Sequence, residues 1–286
     1  MKILILAIFL IPFTAMSEEI KVLTWNVFMI PKPINFTKQK LRTKLIAEKL
    51  EKTPHDIIFL QEAFRTRFQK EISLKLKGTH PFQANLKKGK NLLHVLNSGL
   101  FIASKFPFRI LGKKYYHSCV HTDCFASKGV ILIELTLPSG KSVQVATTHM
   151  QAWGDEEAIK TRREQIYTIN DLLDEKFANG IPQILLGDLN IDGMIQDEYE
   201  KSLQILKMDS TPLFGEIQST NGFKIECYKT PGGDSKAEWL DHIWTRNNNS
   251  TLKIMNKTAI PMIGKMSGGK NCPLSDHHAV EALIHL

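Results

Sequence analysis

A chain of 286 residues, 43% hydrophobic and 23% charged, has enough apolar material for one large core and too much for an intrinsically disordered protein. Its formal charge of +8 favours anionic partners, nucleic acid or acidic lipid among them, but the lysines are dispersed and read mainly as solvated faces. No repeat divides the chain, and no apolar run reaches the ~20 residues that span a bilayer.

Met1-Lys2, the apolar run Ile3 to Phe13 and the small residues Thr14-Ala15-Met16-Ser17 have the layout of a secretory leader. Residues 1–17 are therefore expected to be removed on export, leaving 18–286 as a single extracellular domain. Val22 to Trp25 reads as a strand closed by Asn26. Pro31-Lys32-Pro33 breaks the backbone, and Leu41, Leu45, Ile46 and Leu50 recur at helical spacing. Ile57 to Leu60 forms a second strand, followed by Gln61-Glu62. Leu100 to Ala103, Val130 to Leu135 and Ser142 to Thr148 read as further strands; the last two form a hairpin across Pro138-Ser139-Gly140-Lys141, and the second ends at His149. A helix is predicted from about Glu156 to Lys176, leading to the Ile184 to Leu186 strand and then Asp188 and Asn190. Asp241 lies inside Trp239-Leu240-Asp241-His242-Ile243-Trp244, and Ser275-Asp276-His277-His278 comes near the C-terminus. The glycine- and proline-rich stretches 230–234 and 266–270 are the expected mobile loops. Four cysteines in an exported chain suggest disulfides; Cys119, Cys124, Cys227 and Cys272 allow three pairings, with Cys119 to Cys124 the local one.

Strands in both hairpin and helix-linked contexts predict two packed mixed sheets with helices outside, an α/β fold. Polar residues at the ends of buried strands then gather on one rim, where sites in such folds collect. Glu62, Asn26, Asp188, Asn190 and Asp276 offer the oxygens that a hard divalent cation takes. His277 is the candidate base, held in its tautomer by Asp241. His149 is a second imidazole that could donate to a phosphate or to a leaving oxygen, with Asp123 as its orienting partner. His242 and His278 read as ordinary packed histidines. Each assignment is weak alone, and the weight lies in the set.

That ordered set, Trp25-Asn26-Val27, Gln61-Glu62, Thr148-His149, Gly187-Asp188-Leu189-Asn190, Leu240-Asp241 and Ser275-Asp276-His277, resembles the endonuclease/exonuclease/phosphatase superfamily from about residue 21 onward. The resemblance implies a four-layer α/β sandwich of the DNase I type and magnesium-dependent phosphoester hydrolysis, with Mn²⁺ or Co²⁺ as substitutes. Asn26-Val27-Phe28-Met29-Ile30-Pro31, Gln61-Glu62-Ala63-Phe64, Ser98-Gly99-Leu100, Lys128-Gly129-Val130 and Thr148-His149-Met150-Gln151-Ala152 are similar to secreted neutral sphingomyelinases of the bacterial type.

The branch implies cleavage of sphingomyelin, and potentially lysophosphatidylcholine, by water activated at His277. In that reading Asn26, Glu62 and Asp276 hold metal, while Asn190 and His149 stabilise the pentavalent state, beside Asp188 and Asp241. Asp123 and Lys128 face the substrate phosphate. Trp153 is read either as a stacking surface for choline or, in preference, as loop packing. The implied partner is membrane lipid met by peripheral contact, with no nucleic acid, and the protein is expected to be a monomer.

The chain departs from the branch before its last motif, where residues 261–269 replace a long aromatic hairpin. Met262, Ile263 and Met266 there read as loop packing in preference to an apolar tip. The rival readings are a DNase-like nuclease, which lacks an evident arginine-aromatic array here; a phosphoinositide phosphatase, whose Trp-Cys-Asp-Arg pattern is replaced by Trp239-Leu240-Asp241-His242; and a catalytically silent membrane-docking protein.

Overall fold

The apolar runs fold as strands and the 3.6-periodic stretches as helices. The computed structural model describes residues 18–31, 38–89, 94–222, 236–266 and 268–286, so the leader at 1–17 and the 230–234 loop lie outside the described residues. In chain order the elements are β1 (Glu19–Asn26), α1 (Gln39–Glu51), β2 (Ile57–Gln61), α2 (Thr66–Leu76), β3 (Phe82–Asn85), β4 (Phe101–Ser104) and β5 (Phe108–Tyr115). A 3₁₀ turn (His121–Phe125) precedes β6 (Gly129–Thr136), β7 (Ser142–His149), α3 (Glu156–Glu175), β8 (Gln183–Asp188) and α4 (Gln196–Leu206). Then follow β9 (Asp209–Ser210), β10 (Asp241–Arg246), β11 (Lys253–Ile260), β12 (Ile263–Lys265), β13 (Asn271–Pro273) and β14 (Ala279–His285).

Two six-stranded mixed sheets result, ordered β11-β14-β1-β2-β4-β3 and β5-β6-β7-β8-β10-β9. Strands β1 with β2 and β7 with β8 run parallel, and their other neighbours run antiparallel. The two-residue strand period sorts the core. Ile20, Val22, Ile57 and Phe59 meet Val143, Val145, Ile184 and Leu186 between the sheets. The alternate residues Leu23, Trp25, Ile58 and Leu60 pack under α1 and α2, and Leu132, Ala146, Leu185 and Trp244 under α3 and α4. Four layers, helix, sheet, sheet and helix, are the outcome, and both faces of each sheet are covered, which is why the strands read as unbroken apolar runs. Each buried aliphatic side chain contributes roughly 1.5–3 kcal/mol.

Helix α3 begins where Asp155 accepts a bond from Ala158 N at 3.1 Å, with Glu156 and Glu157 favourably placed in its first turn. Cys119 and Cys124 form the local disulfide, closing the 3₁₀ turn; Cys272 is also disulfide-bonded, and Cys227 lies outside the described residues. Strands β12 and β13 pair as a short hairpin over residues 261–273. Met262 and Met266 are buried beside α1, Met266 against Leu41 and Leu45, so they pack the loop; Ile263 alone of the three is exposed. No helix among the described residues is long and apolar enough to cross a membrane.

Candidate active site

The inward register that builds the inter-sheet core turns polar at one end. Going up each strand, Val22 leads to Thr24 and Asn26, Phe59 to Gln61, Val145 to Thr147 and His149, and Leu186 to Asp188, while Asp241 precedes Ile243. Because β10 and β14 run against β8 and β1, their beginnings lie beside the ends of those strands. The sandwich interior thus continues into a polar pocket. Gln61 links the sheets just below it, bonding Thr24 at 3.0 Å and Thr147 at 3.4 Å.

The pocket joins Glu62 to His277. Asn26 Nδ2 donates to Glu62 Oε1 at 3.1 Å and to Asp188 Oδ2 at 2.8 Å. Asp188 Oδ2 stands 3.8 Å from His277 Nε2, whose ring partner Nδ1 bonds Asp241 Oδ2 at 2.7 Å. This pairing fixes the imidazole's tautomer, leaving Nε2 toward the pocket. Ser275 accepts the His277 N–H and donates to Asn26 O at 2.6 Å, and Trp25 Nε1 donates to His277 O at 3.1 Å, so β1 carries the His277 backbone.

The Asn26 amide oxygen accepts the Phe28 N–H at 3.0 Å, an arrangement that turns its nitrogen toward Glu62 and Asp188.

The second imidazole differs from its expected role. Lys128 Nζ donates to His149 Nε2 at 3.2 Å, to Asp123 Oδ2 at 2.7 Å and to Met150 O at 2.7 Å. Asp123 also accepts the Ala152 N–H and makes no bond to His149, so it positions Lys128 instead. Burial, then Lys128 and His277, holds His149 well below its ordinary value. A neutral imidazole donates a hydrogen bond, not a proton. Asn190 adopts a left-handed φ of 52° and donates to Met150 O at 3.1 Å, tying the ends of β7 and β8 together. Trp153, expected to pack, is 58% exposed beside this cluster.

Charge explains the remaining shifts. Burial, then the charge on Asp276, pushes Glu62 up to about 8, and burial lifts Asp188 to about 6 and raises Asp276. Burial lowers His277, but Asp241, Asp188 and Asp276 outweigh it and hold the ring well above its usual value. Glu62 Oε2 is buried without a partner. A pocket crowded with carboxylates and holding such an orphaned oxygen fits a hard divalent cation. Asp188, Asp241 and His277 offer ligand atoms within 4.8 Å of one another, and Asp241 Oδ1, like Glu62 Oε2, is buried without a partner. Glu62 and Asp276 add further carboxylate charge beside this triad.

Two supporting residues escaped the sequence reading. Thr220 is fully buried, and its hydroxyl accepts the N–H groups of Leu240 and Asp241. Arg42 binds the carbonyls of Val27, Phe28 and Leu274, clamping the segments before and after the site. Its spacing with Ile46 and Leu50 on α1 was the available signal. His242 is core, as expected, bonding Ile191 O at 2.7 Å.

Fold and site together define a DNase I-like α/β sandwich with a His–Asp dyad and a carboxylate cluster at one rim. Residues 23–277 match the profile of the endonuclease/exonuclease/phosphatase family, and the chain belongs to that family. It is 24% identical over 296 residues to sphingomyelinase C 2 of Leptospira interrogans, covering 94% of this chain and 46% of that protein. It spans about half the length of the curated sphingomyelinases C it matches, 46% and 52%. Among solved structures, sphingomyelinase C from Streptomyces griseocarneus superposes with a TM-score of 0.78 at 24% identity, over 93% of this chain and 99% of that one. A Staphylococcus aureus beta-toxin variant with bound magnesium ions gives 0.76 at 22% identity, over 93% and 99%.

Proposed function

We propose that the protein is a secreted, magnesium-dependent phosphodiesterase that hydrolyses sphingomyelin to ceramide and phosphocholine. The observation that carries the reading is the His277–Asp241 dyad, whose free Nε2 lies across Asp188 and Asn26 from the unpartnered oxygen of Glu62. Sphingomyelinases among the relatives narrow the substrate. Export by residues 1–17, a monomeric state and no nucleic-acid substrate belong to the same proposal.

Glu62, Asp276 and Asp188 would hold the cation, which when bound neutralises charge on the phosphoryl oxygens and the carboxylates. The surrounding carboxylates favour the charged form of His277 and hold its ring above its ordinary value. Nε2 of His277 is placed to take a proton from a water whose oxygen bonds phosphorus as the bond from phosphorus to the ceramide oxygen breaks, and the leaving oxygen takes up a proton from solvent to give ceramide. Asp241 stabilises the imidazolium that forms. Lys128, aimed by Asp123, offers a point charge to the phosphate. Exposed Trp153 offers its face to the choline cation.

Phosphocholine release from sphingomyelin, with and without chelator and beside hydrolysis of double-stranded DNA, tests the reading. Sphingomyelin is expected to be the faster substrate and chelation to stop it, and equal or reversed preference rejects the proposal.

A further inference from the structure

Met262 and Met266 pack on α1, which leaves Ile263 as the exposed large apolar side chain among the described residues of 261–269. Apolar side chains emerge elsewhere around the pocket. Val95 is 67% exposed and Phe125 51%, and they lie side by side, because Val95 N and Leu96 N both bond Phe125 O at 2.9 Å. The 3₁₀ turn that ends at Phe125 also carries Asp123, whose carboxylate takes the Ala152 N–H, placing the ridge next to Trp153 and Lys128.

On its other flank, Val95 borders an open cleft of about 680 Å³ lined by Arg65, Arg67, Lys87 and Lys88. Among the described residues no carboxylate forms an ion pair with these four, and Arg65 donates to the neutral amide of Gln39 at 2.6 Å. The acidic start of α3, Asp155 to Glu157, meets the same 3₁₀ turn, where Asp155 pairs with His121 at 3.0 Å.

We infer that Val95, Phe125 and the cleft of Arg65, Arg67, Lys87 and Lys88 form a docking face for an anionic lipid bilayer, with the apolar pair entering the headgroup boundary and the basic groups meeting lipid phosphates. Interfacial attachment combines buried apolar area with attraction of cations to anionic lipid. The face adjoins Lys128 and Trp153, so docking presents the pocket to the membrane. The inference rests on the proposed lipid substrate for its purpose, but docking itself needs no turnover.

Its test is cosedimentation in chelator with vesicles free of sphingomyelin, made of phosphatidylcholine alone or with one-third phosphatidylglycerol. The wild type should bind the mixed vesicles at least tenfold more tightly, and less so as salt rises. Lys87→Gln/Lys88→Gln should remove most of that preference, and Val95→Ser/Phe125→Ser should weaken binding to both vesicles, each variant keeping the wild-type melting temperature. Indifference to phosphatidylglycerol, or variants that bind like the wild type, overturns the inference. So does a DNA duplex that outcompetes the mixed vesicles in the wild type but not in Lys87→Gln/Lys88→Gln, which would assign the cleft to nucleic acid. Loss of sphingomyelin turnover with vesicle binding intact would count against the proposed activity alone.

Discussion

Glu62 concentrates the chemistry of the pocket in one carboxyl group. It follows directly on β2 in a left-handed conformation (φ 53°), one oxygen is held by Asn26 and the other has no partner. Glu62→Gln preserves shape and the Asn26 contact but removes the charge. Turnover in magnesium should fall at least ~10²-fold, and the rise in melting temperature that magnesium gives the wild type should vanish. A variant still stabilised by magnesium would move the ion elsewhere. Asp241→Asn should lower kcat by about 10²-fold or more with KM little changed, since it disturbs the His277 tautomer without touching substrate. Near-normal kcat in that variant would remove the dyad from the mechanism. Glu62 was legible because it follows an apolar run, and Asp241 because it interrupts one. Thr220 and Arg42 were not, because their partners are backbone groups of distant segments, and such partnerships leave no side-chain pattern.

Strand ends place those groups, so the elements must hold register closely. Gly187 takes a φ of 133°, and a Cβ there would lie 2.1 Å from Thr148 O on the neighbouring strand. Gly187→Ala should therefore cost about 3 kcal/mol or more, read as a lower urea midpoint, and should displace Asp188 enough to depress activity beyond the stability loss. An unchanged midpoint would show that β7 and β8 can separate at no cost. The strands carrying catalytic groups at their ends were readable because they are covered on both faces. Strand β14 was hidden because Ala279-Val280-Glu281-Ala282-Leu283 suits a helix as well, and pairing with β1 and β11 decides it. Strand β11 is polar and lies at a sheet edge, so no alternation marked it, whereas α2 and α4 carry apolar residues at helical spacing, Phe68, Ile72 and Leu76 in α2, a signal that was present and passed over.

Across the whole molecule, the core behind the pocket sets its response to acid. Burial holds His242 down to about 3 among Tyr199, Trp239 and Trp244. Its folded value lies below the ordinary 6.5, so between pH 6.5 and 3 the unfolded chain binds the extra proton and stability falls as pH falls. His242→Phe keeps a ring in place and loses the bond to Ile191 O. Urea unfolding at pH 7 and pH 4 should show it slightly less stable at the higher pH, by about 1 kcal/mol, but with a smaller drop on acidification. An equal drop in both proteins would exonerate this histidine.

Strand β14 lies between β1 and β11, and the Ser275–His277 segment that precedes it closes the pocket opened by Asn26 near the other end of the chain. A growing polypeptide holds the upstream carboxylates long before that insertion, yet it has neither the dyad nor a closed sheet. Insertion of β14 therefore closes the first sheet and assembles the dyad in one event, so the pocket forms as a late, cooperative product of sheet closure rather than strand by strand.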